Sequence, residues 1–572
     1  MSIDKKDVIK LLEQIALLLE LKGENPFKVS AYRKAAQSLE RDVRSLAEID
    51  DVTKLKGIGK GTGAVIKEYV ETGQSTTLTQ LEAEVPEGLV PLLQLPGLGG
   101  KKLAKLYQSL HITDAESLKK ACESGQVEQL EGFGKKTVEN ILTALADAGK
   151  RPERLPIATM LSVAEKIEKE LDRIPSIDKY SRAGSLRRMR ETIKDIDYII
   201  ATEKPEAVRD ALLGMDGIKD VVSKGTTKVS VVLADVYDVN VDFRLVRSEA
   251  FATMLHHFTG SKDHNVAIRQ LAKARGEKIN EYGVEKEDTK ETITFPSEEA
   301  LFHHFGLHYI PPEIRENTGE IESARRPLHL IDIKDIRGDL HMHTTWSDGA
   351  QSPEEMVNNA RANGYEYMAI TDHSKYLRVA DGLNETRLLK QREEIARLNA
   401  KYNDIHIFAG VEMDILPDGT LDFSNDFLQE MDFVIAAIHS GFNQPEAKIM
   451  ERLYAAMDSP YVSLIAHPTG RLIGQREGYR LNMEKLIMRA KETDTALEIN
   501  ANPNRLDLSA EWAQTAQKIG VKLAINTDAH SYSMFDHMDY GIATARKGWI
   551  HKDTVINTWP LEQLKAFLNR NK

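Results

Sequence analysis

The carboxy-terminal half of the chain repeats one local pattern, which restricts the possible folds more than any other feature of the sequence. A short apolar run ends in histidine, aspartate or glutamate, and a helical stretch such as 353–363 or 387–402 follows before the next run. Repeated strand–helix units with polar residues at the strand ends predict a β/α barrel whose site lies at the carboxyl ends of the strands. The polar residues in these places are His341, His343, Asp348, His373, Glu412, His439, His467, Asp528 and His530.

These strand-end residues form a candidate metal centre. A single histidine at the end of a strand is usually structural, but recurrence at equivalent positions of successive units argues against coincidence. Imidazole and carboxylate ligands without a thiolate suit Mn²⁺, Zn²⁺ or Fe²⁺. The sequence therefore predicts a cluster of such ions in the barrel.

A second candidate site begins at the stretch 183–188, where Gly184 and Ser185 open a helix. Backbone N–H groups at a helix start and the Ser185 hydroxyl can bind a phosphate, and Arg188 can add a charge-assisted contact. An ordinary helix start is the alternative interpretation. The carboxylates that follow along the chain make phosphate binding the better hypothesis.

Asp195 and Asp197 stand at the head of an apolar run, and Asp242 lies in the strictly alternating stretch 239–245. Residues two apart on a strand share a face, so Asp195 and Asp197 project together, and strict alternation indicates a half-buried strand. Three strand carboxylates beside a phosphate cradle suit two-metal nucleotidyl transfer. A solvated strand edge is the alternative for a lone Asp-x-Asp, but the third carboxylate disfavours it.

The first 150 residues read as short helices that contain one phrase three times, at 55–59, 95–99 and 130–134. An apolar-x-Gly-apolar-Gly turn lets a phosphate approach the backbone, and the following helix start supplies N–H donors without reading base sequence. One copy is usually only a glycine-capped turn, whereas three copies resemble helix-hairpin-helix DNA-binding elements. The candidate DNA-contacting residues are Gly57, Gly59, Lys60, Gly97, Gly99, Lys101, Gly132, Gly134 and Lys135.

The bulk properties set limits on these hypotheses. A chain of 572 residues is too long for one core and predicts at least three domains. The single cysteine, Cys122, suits a reducing cytoplasm, and no apolar run reaches the ~20 residues that span a bilayer. The net charge of −12 means that DNA binding has to use local clusters and backbone amides.

The motifs up to about residue 315 resemble a family X DNA polymerase, the class of polymerase beta. Gly184-Ser185, Arg188, the three aspartates and the stretch 258–261 stand in that family's order and spacing. The resemblance implies that Asp195, Asp197 and Asp242 are catalytic and hold two Mg²⁺ or Mn²⁺ ions. The residues that it places at the nucleotide and template are Gly184, Ser185, Arg188, His257, Phe258, Gly260, Asn265 and Arg269.

The sequence departs from that family at two positions. His257 stands where the family usually has tyrosine, which leaves the exclusion of a ribose 2′-hydroxyl open. Val65 stands where polymerase beta has the lysine that forms a Schiff base with an abasic sugar, so we expect no such lyase activity. Tyr32 and Lys34 remain candidates to bind a 5′-phosphate, with a solvated helix face as the alternative.

The stretch 337–570 resembles the PHP (polymerase and histidinol phosphatase) domain, and all of that domain's metal-ligand positions are filled. The resemblance implies three metal ions that activate a water to attack a phosphodiester. Both halves in this order match the bacterial family X polymerases with a carboxy-terminal PHP domain. The expected parts are an N-terminal helical DNA-binding domain (1–85), a helical fingers-type domain with helix-hairpin-helix motifs (86–150), an α/β nucleotidyltransferase palm (151–255), an α+β thumb-type domain (256–315), a linker (316–336) and the PHP β/α barrel (337–572).

We therefore predict a bacterial DNA repair enzyme of the cytoplasm and nucleoid. It would be a monomer without a membrane partner, and it would fill short gaps in gapped or nicked duplex DNA with deoxynucleoside triphosphates. The PHP domain would act as a 3′–5′ exonuclease and would further process abasic sites and blocked 3′ ends. Three rivals remain: a nucleotidyltransferase fused to a small-molecule phosphatase, a DNA-end scaffold with structural metals, and a template-independent transferase.

Overall fold

The computed structural model describes residues 5–41, 49, 51–95, 98–148, 154–235 and 237–570. The chain forms two compact units, Met1–Pro152 and Glu153–Lys572. In the described part of the chain, no helix combines the length and the apolar character that crossing a bilayer requires.

The first unit is helical, and one continuous apolar cluster joins all its parts. Val8, Leu12 and Ile15 on α1 pack in the same cluster as Leu106 on α5 and Ile141 on α7. The two helical domains predicted at 1–85 and 86–150 therefore share a core. Helices α1 to α7 span Lys5–Lys22, Pro26–Arg41, Lys60–Thr72, Thr76–Glu84, Gly100–Leu110, Ala115–Glu123 and Lys135–Ala148.

The second unit begins with a five-stranded sheet, the palm, whose strand order is β2-β4-β7-β6-β5. The two central strands, β4 and β7, run parallel, and the other pairs are antiparallel. The palm also carries a short pair, β1 with β3. Strands β1 to β7 span Leu155–Pro156, Lys179–Arg182, Thr192–Ile193, Ile196–Ala201, Ile218–Lys224, Lys228–Leu233 and Val239–Val246. Helices α8 to α10 span Ile157–Leu171, Gly184–Arg187 and Pro205–Leu213.

A small α+β part follows, which we call the thumb. Its antiparallel sheet has the order β10-β9-β8, and Ile268, Val284 and Phe302 lie in its core. Helices α11 to α14 span Phe251–Thr259, Lys262–Ala274, Glu298–His304 and Glu320–Ser323, and strands β8 to β10 span Glu277–Ile279, Val284–Lys286 and Thr292–Ile293.

The stretch 316–336, predicted as a linker, is packed against both of its neighbours. Ala324 belongs to the core of the thumb, and Ile331 belongs to the outer core of the barrel. The Glu320 carboxylate lies 2.8 Å from Nδ1 of His264, and both side chains are fully buried. The thumb is thereby held to the barrel by ordered, buried chain.

The remaining residues form a nearly closed barrel of seven parallel strands, in the order β11 to β17. A parallel bridge between Met342 and Ala529 joins the segments that follow the first and last strands. Strands β11 to β17 span Gly338–Asp339, Tyr367–Ile370, His406–Asp414, Phe433–Ala437, Val462–Ile465, Ala496–Asn500 and Leu523–Asn526. Helices α15 to α22 span Pro353–Ala362, Glu385–Lys401, Asn425–Leu428, Glu446–Asp458, Met483–Thr493, Ala510–Ile519, Met538–Lys547 and Leu561–Leu568.

Alternation along the barrel strands separates two apolar cores. Tyr367 and Ala369 of β12 face the interior, whereas Met368 and Ile370 pack under the surrounding helices. Helix α22 closes the amino ends of the strands with Phe567 and Leu568. The opposite, carboxyl ends carry the histidines and acids, as the repeated strand–helix pattern predicts.

Candidate active sites

The parallel pairing of β4 with β7 brings the three palm aspartates together. The register sets Asp197 directly opposite Asp242, and Asp195 immediately precedes β4. The Asn240 amide donates to Oδ1 of Asp195 at 3.0 Å, and Nζ of Lys228 lies 2.8 Å from Oδ2 of Asp242. The sequence pattern predicted carboxylates on strands, and the structure adds that the two strands pair and which neighbours orient the carboxylates.

Asp197 is the most perturbed carboxyl of this group. Burial is the largest cause that raises its pKa to about 6; the nearby Asp242 and Asp195 contribute to the rise, while Arg244 and Lys228 oppose it. Several carboxylates at one partly buried position favour a bound cation, because a hard divalent ion compensates their charge. The chemistry of this group of residues therefore suits a hard divalent metal ion.

The predicted phosphate cradle lies against these carboxylates. Gly184 has a φ of +59°, and a Cβ there would come within 2.4 Å of Oδ2 of Asp197, so only glycine fits. The Arg188 guanidinium donates to the carbonyl of Thr259 and to Oε1 of Glu316, the latter at 3.0 Å. Arg188 is thus engaged by thumb residues in this structure.

The other predicted nucleotide-binding residues line the start of the thumb. The amide of Asn265 donates to the carbonyl of His257 at 2.7 Å, and burial lowers the pKa of His257. The Arg244 guanidinium stacks 3.7 Å from the ring centroid of Phe258. Arg269, on the same helix as Asn265, is exposed to solvent.

A buried network of charged side chains lies beside this site and was not predicted from the sequence. The Glu298 carboxylate accepts from Arg187 and from Arg315, each at 2.6 Å. Burial alone would raise the pKa of Glu298, but the two guanidinium groups lower it well below its ordinary value. The partners lie 111 and 17 residues from Glu298 along the chain, so only the fold reveals that palm and thumb are joined here.

The barrel gathers all of its predicted ligand residues into one cluster around Glu412. Nitrogens of surrounding histidines lie 2.8 to 3.5 Å from its carboxylate, which is fully buried. Three ligand groups can be distinguished, namely His343 with Asp348, His373 and His530; His341 with His343 and Asp528; and His373 with Glu412 and His439. His467 joins them through a contact of 2.9 Å with Oε1 of Glu412.

Buried atoms without a hydrogen-bond partner show that this cluster fits metal ions. Within the part of the chain that the structure describes, these atoms include Nε2 of His341, Nδ1 of His343, Oε2 of Glu412 and Nδ1 of His467. Burial lowers the pKa of His343 to about 3, with His530 and His373 adding to the effect, so its imidazole is neutral and able to coordinate. Buried polar atoms without a partner lower the stability of the fold unless a ligand or a metal ion binds them.

Residues that orient the ligands were missed by the sequence analysis. The carboxylate of Glu498 lies 2.8 Å from Nδ1 of His341, and that of Asp414 lies 3.2 Å from Nδ1 of His439. Such carboxylates fix the orientation of a ligating imidazole. A usable signal existed, because Glu498 and Asn500 interrupt the short apolar run of β16, a strand that the repeated pattern did not single out.

In the first unit, each of the three glycine turns directly precedes a helix. Helices α3, α5 and α7 begin at Lys60, Gly100 and Lys135, one residue after the turn's last glycine. A Cβ at Gly59, Gly99 or Gly134 would meet nothing within 4 Å, so these helix starts are open to a ligand. Gly57 and Gly132 have φ values of +108° and +93°, whereas Gly97 lies outside the described residues.

Tyr32 and Lys34, the two candidates to bind a 5′-phosphate, differ in their exposure. Tyr32 is buried in the helical core at 8% exposure, which leaves little of its ring for a ligand, whereas Lys34 is exposed. Val65 is also buried in this core. Lys101 lies in the first turn of α5 and is exposed.

Fold and sites together define a class: a nucleotidyltransferase palm with its thumb, joined to a metal-dependent phosphoesterase barrel and to helix-hairpin-helix elements. Family models agree, with a DNA polymerase beta thumb at 254–316 and a PHP domain at 339–502. A helix-hairpin-helix domain matches 3–75, and a SAM-like helix-hairpin-helix tandem matches 89–147.

Relatives place the chain within this class. The DNA polymerase/3′-5′ exonuclease PolX of Bacillus subtilis is 59% identical over 99% of this chain and 100% of its own length. The chain therefore belongs to the PolX family of bacterial family X DNA polymerases. A "probable phosphatase" of Thermoanaerobacter and one of Acetivibrio thermocellus are 29% and 28% identical, each over 41% of this chain and 95% of its own length.

Proposed function

We propose that this chain is a DNA polymerase with a 3′–5′ exonuclease, and that the two activities reside in separate clusters. The observation that carries the proposal is the coexistence of two sets of residues. One is Asp197 and Asp242 on paired palm strands with Asp195 just before β4, and the other is the histidine-rich cluster around Glu412 in the barrel. The family relationship supports both activities.

In the palm, the chain's own groups hold and orient the reactants. Asp195, Asp197 and Asp242 would hold two Mg²⁺ or Mn²⁺ ions, which supply charge neutralisation and lower the pKa of a primer 3′-hydroxyl. The start of α9 and Ser185 would bind the triphosphate, and Arg188 would bind it once this guanidinium is released from Glu316. His257, Phe258, Gly260, Asn265 and Arg269 would contact the nucleotide or template.

In the barrel, the cluster around Glu412 would hold Mn²⁺, Zn²⁺ or Fe²⁺ ions, whose Lewis acidity suits phosphodiester hydrolysis. Glu498 and Asp414 hold His341 and His439 in orientation. The same cluster suits cleavage at abasic sites and removal of blocked 3′ ends. Trimming a damaged 3′ end produces the hydroxyl that the palm requires.

The helix starts after the glycine turns would bind the phosphates of gapped or nicked duplex DNA, with Lys60, Lys101 and Lys135 nearby. The chain would act as a monomer in the bacterial cytoplasm, associated with the nucleoid, and it would use deoxynucleoside triphosphates. Because Val65 stands at the lyase position, we expect no Schiff-base chemistry on abasic sugars.

A labelled primer tests the two-site proposal. A 5′-labelled primer in a gapped duplex is incubated with Mn²⁺, with and without deoxynucleotides and with and without the template strand. We expect Asp195→Ala/Asp197→Ala to shorten the primer only and His341→Ala/His343→Ala to lengthen it only. Asp210→Ala, an exposed carboxylate on α10, serves as the control. Simultaneous loss of both activities in either variant would contradict separate sites, and extension without template would favour a terminal transferase.

A phosphomonoesterase is a second candidate for the barrel, because the two partial relatives are named probable phosphatases. The helix-hairpin-helix elements favour DNA instead. Turnover of p-nitrophenyl phosphate is compared with that of a 3′-recessed duplex. Faster turnover of the monoester than of the duplex would assign phosphatase activity, and not exonuclease activity, to the barrel.

A further inference from the structure

Two exposed tyrosines stand beside the most open part of the barrel cluster. Tyr376 and Tyr532 are 41% and 54% exposed. Tyr376 comes three residues after His373, and Tyr532 comes two residues after His530. These two histidines belong to one ligand group, whose remaining members are His343 and Asp348. The Asp348 and His530 side chains are 35% and 32% exposed, so this group faces solvent.

Several exposed apolar side chains of the barrel lie on the two segments that carry His373 and His530. Among the described residues after 337, the large exposed hydrophobic side chains are Tyr376, Val379, Leu389, Met488 and Tyr532. Val379, at 94% exposure, lies on the same loop as Tyr376. Single exposed apolar residues are ordinary on a protein surface, but Tyr376, Val379 and Tyr532 follow ligand residues directly along the chain, which makes them candidates for contact with a substrate.

The loop that carries Tyr376 is held rigidly although its tip is exposed. The Leu383 N–H donates to the carbonyl of His373 at 2.7 Å, which closes the loop at its base. The Arg387 guanidinium donates to the carbonyl of Asp381 at 2.7 Å. The Tyr376 N–H donates to Oδ2 of Asp422 at 2.8 Å. The ring is thus presented by fixed backbone, which lowers the entropic cost of binding.

Tyr532 is anchored in the same manner on the other side. Its N–H donates to Oε1 of Gln351 at 3.1 Å, and its carbonyl accepts from the amide of Asn359 at 3.3 Å. The segments after β12 and β17 both neighbour the segment after β11, which carries His343 and Asp348. Tyr376 and Tyr532 therefore lie on the two segments that neighbour the segment with His343 and Asp348.

We propose that Tyr376 and Tyr532 form a nucleobase-stacking subsite, which holds the last bases of a DNA 3′ end while its terminal phosphodiester reaches the open ligand group. The base is the largest apolar part of a nucleotide next to the reacting phosphodiester, and every base offers a π-face. Tyrosine provides flat contact area with few rotatable bonds. Stacking of this kind changes affinity by roughly tenfold per base. The inference rests on the proposed exonuclease and names the feature of the substrate that the site recognises.

The test distinguishes recognition of the bases from recognition of the sugar-phosphate backbone. A 5′-labelled single-stranded oligonucleotide is compared with one whose last two units are abasic tetrahydrofuran phosphodiesters, with Mn²⁺ and without deoxynucleotides. For Tyr376→Ala and Tyr532→Ala we expect a KM about tenfold higher on the normal oligonucleotide, with kcat within about twofold. On the abasic oligonucleotide we expect no change, and Tyr376→Phe and Tyr532→Phe should retain the original KM. Tyr282→Ala, a tyrosine of the thumb with 52% exposure, is the matched control.

Equal effects of the alanine variants on both oligonucleotides, or no effect on either, would overturn the proposal. A binding readout keeps it testable if no hydrolysis is found. Fluorescence of 2-aminopurine at the 3′ end of the oligonucleotide is measured on adding metal-free protein, since stacking on an aromatic ring quenches it. If the wild-type protein quenches the fluorescence and Tyr376→Ala and Tyr532→Ala do not, the subsite is upheld even though the exonuclease fails. If both variants quench it as strongly as the wild type, the subsite is overturned.

Discussion

The carboxylate of Glu191 in the palm lies 2.7 Å from the guanidinium of Arg471 in the barrel. Glu191 follows the segment that carries Arg188, and Arg471 comes four residues after His467. Arg471 also donates to the carbonyl of Arg505 at 2.9 Å. One ion pair therefore connects the loop beside the proposed triphosphate site with the loop beside the histidine-rich cluster.

This ion pair should contribute measurably to the stability of the second unit. We expect Glu191→Gln and Arg471→Lys to show a coupling of about 1 kcal/mol in a double-mutant cycle, because the pair is bidentate and partly buried. Urea unfolding measures it. If the two substitutions change the free energy of unfolding additively, the ion pair makes no net contribution to stability. Lys565 and Glu562, an exposed pair on α22, form the comparison cycle.

Gly184→Ala should abolish polymerase activity and leave exonuclease activity intact. The new Cβ would lie 2.4 Å from Oδ2 of Asp197 and would displace that carboxylate, which should lower primer extension by about 100-fold. Primer extension and 3′ shortening are measured on the same duplex. Gly217→Ala is the matched control, because Gly217 also has a positive φ, +81°, but its nearest neighbour to a Cβ is 3.9 Å away.

Glu316→Gln should lower the KM for the incoming nucleotide. Glu316 accepts from Arg188 at 3.0 Å, so it competes with a triphosphate for that guanidinium. We expect a two- to fivefold decrease, roughly the strength of a partly exposed ion pair. Steady-state extension at varied nucleotide concentration measures it, with Glu322→Gln as the exposed control. An increased KM would instead assign Glu316 a supporting role at the site.

Metal binding in the palm should weaken as the pH falls through about 6. Asp197 holds its proton in the folded, metal-free state up to that pH, and a metal ion has to displace the proton. Its pKa is raised above that of the unfolded chain, so without metal its contribution to folding free energy is full at low pH and is lost as the pH rises from about 4 to about 6. Calorimetric Mn²⁺ titrations at several pH values, compared with Asp197→Asn, measure the effect. A pH-independent difference between the two proteins would contradict it.

Glu498→Gln should impair the barrel alone. The Glu498 carboxylate orients His341 from 2.8 Å, so its loss should reduce metal affinity and exonuclease rate by about 10- to 100-fold. Metal content by elemental analysis and 3′ shortening are the measurements, and primer extension is the internal control. Glu492→Gln, on the exposed side of α19, should change none of them.

The sequence by itself determined the local elements and supplied the candidates for the reactive residues. Alternation predicted a half-buried strand over 239–245, and the structure has Val239–Val246. Helical stretches were predicted at 353–363 and 387–402, and the structure has helices Pro353–Ala362 and Glu385–Lys401. These features follow from short-range periodicity, which every residue of an element repeats. The predicted roles of the individual site residues remain predictions.

Only the tertiary structure decided which residues support the reactive ones. Glu498 lies 157 residues from His341, and Glu191 lies 280 residues from Arg471. The tertiary structure also decides that the stretch 316–336 is packed and that Tyr32 is buried. It likewise decides that Tyr376 and Tyr532 are exposed on the segments that carry His373 and His530. Such pairings depend on how distant elements meet, because one hydrogen bond between two residues imposes no periodic pattern on the chain around it.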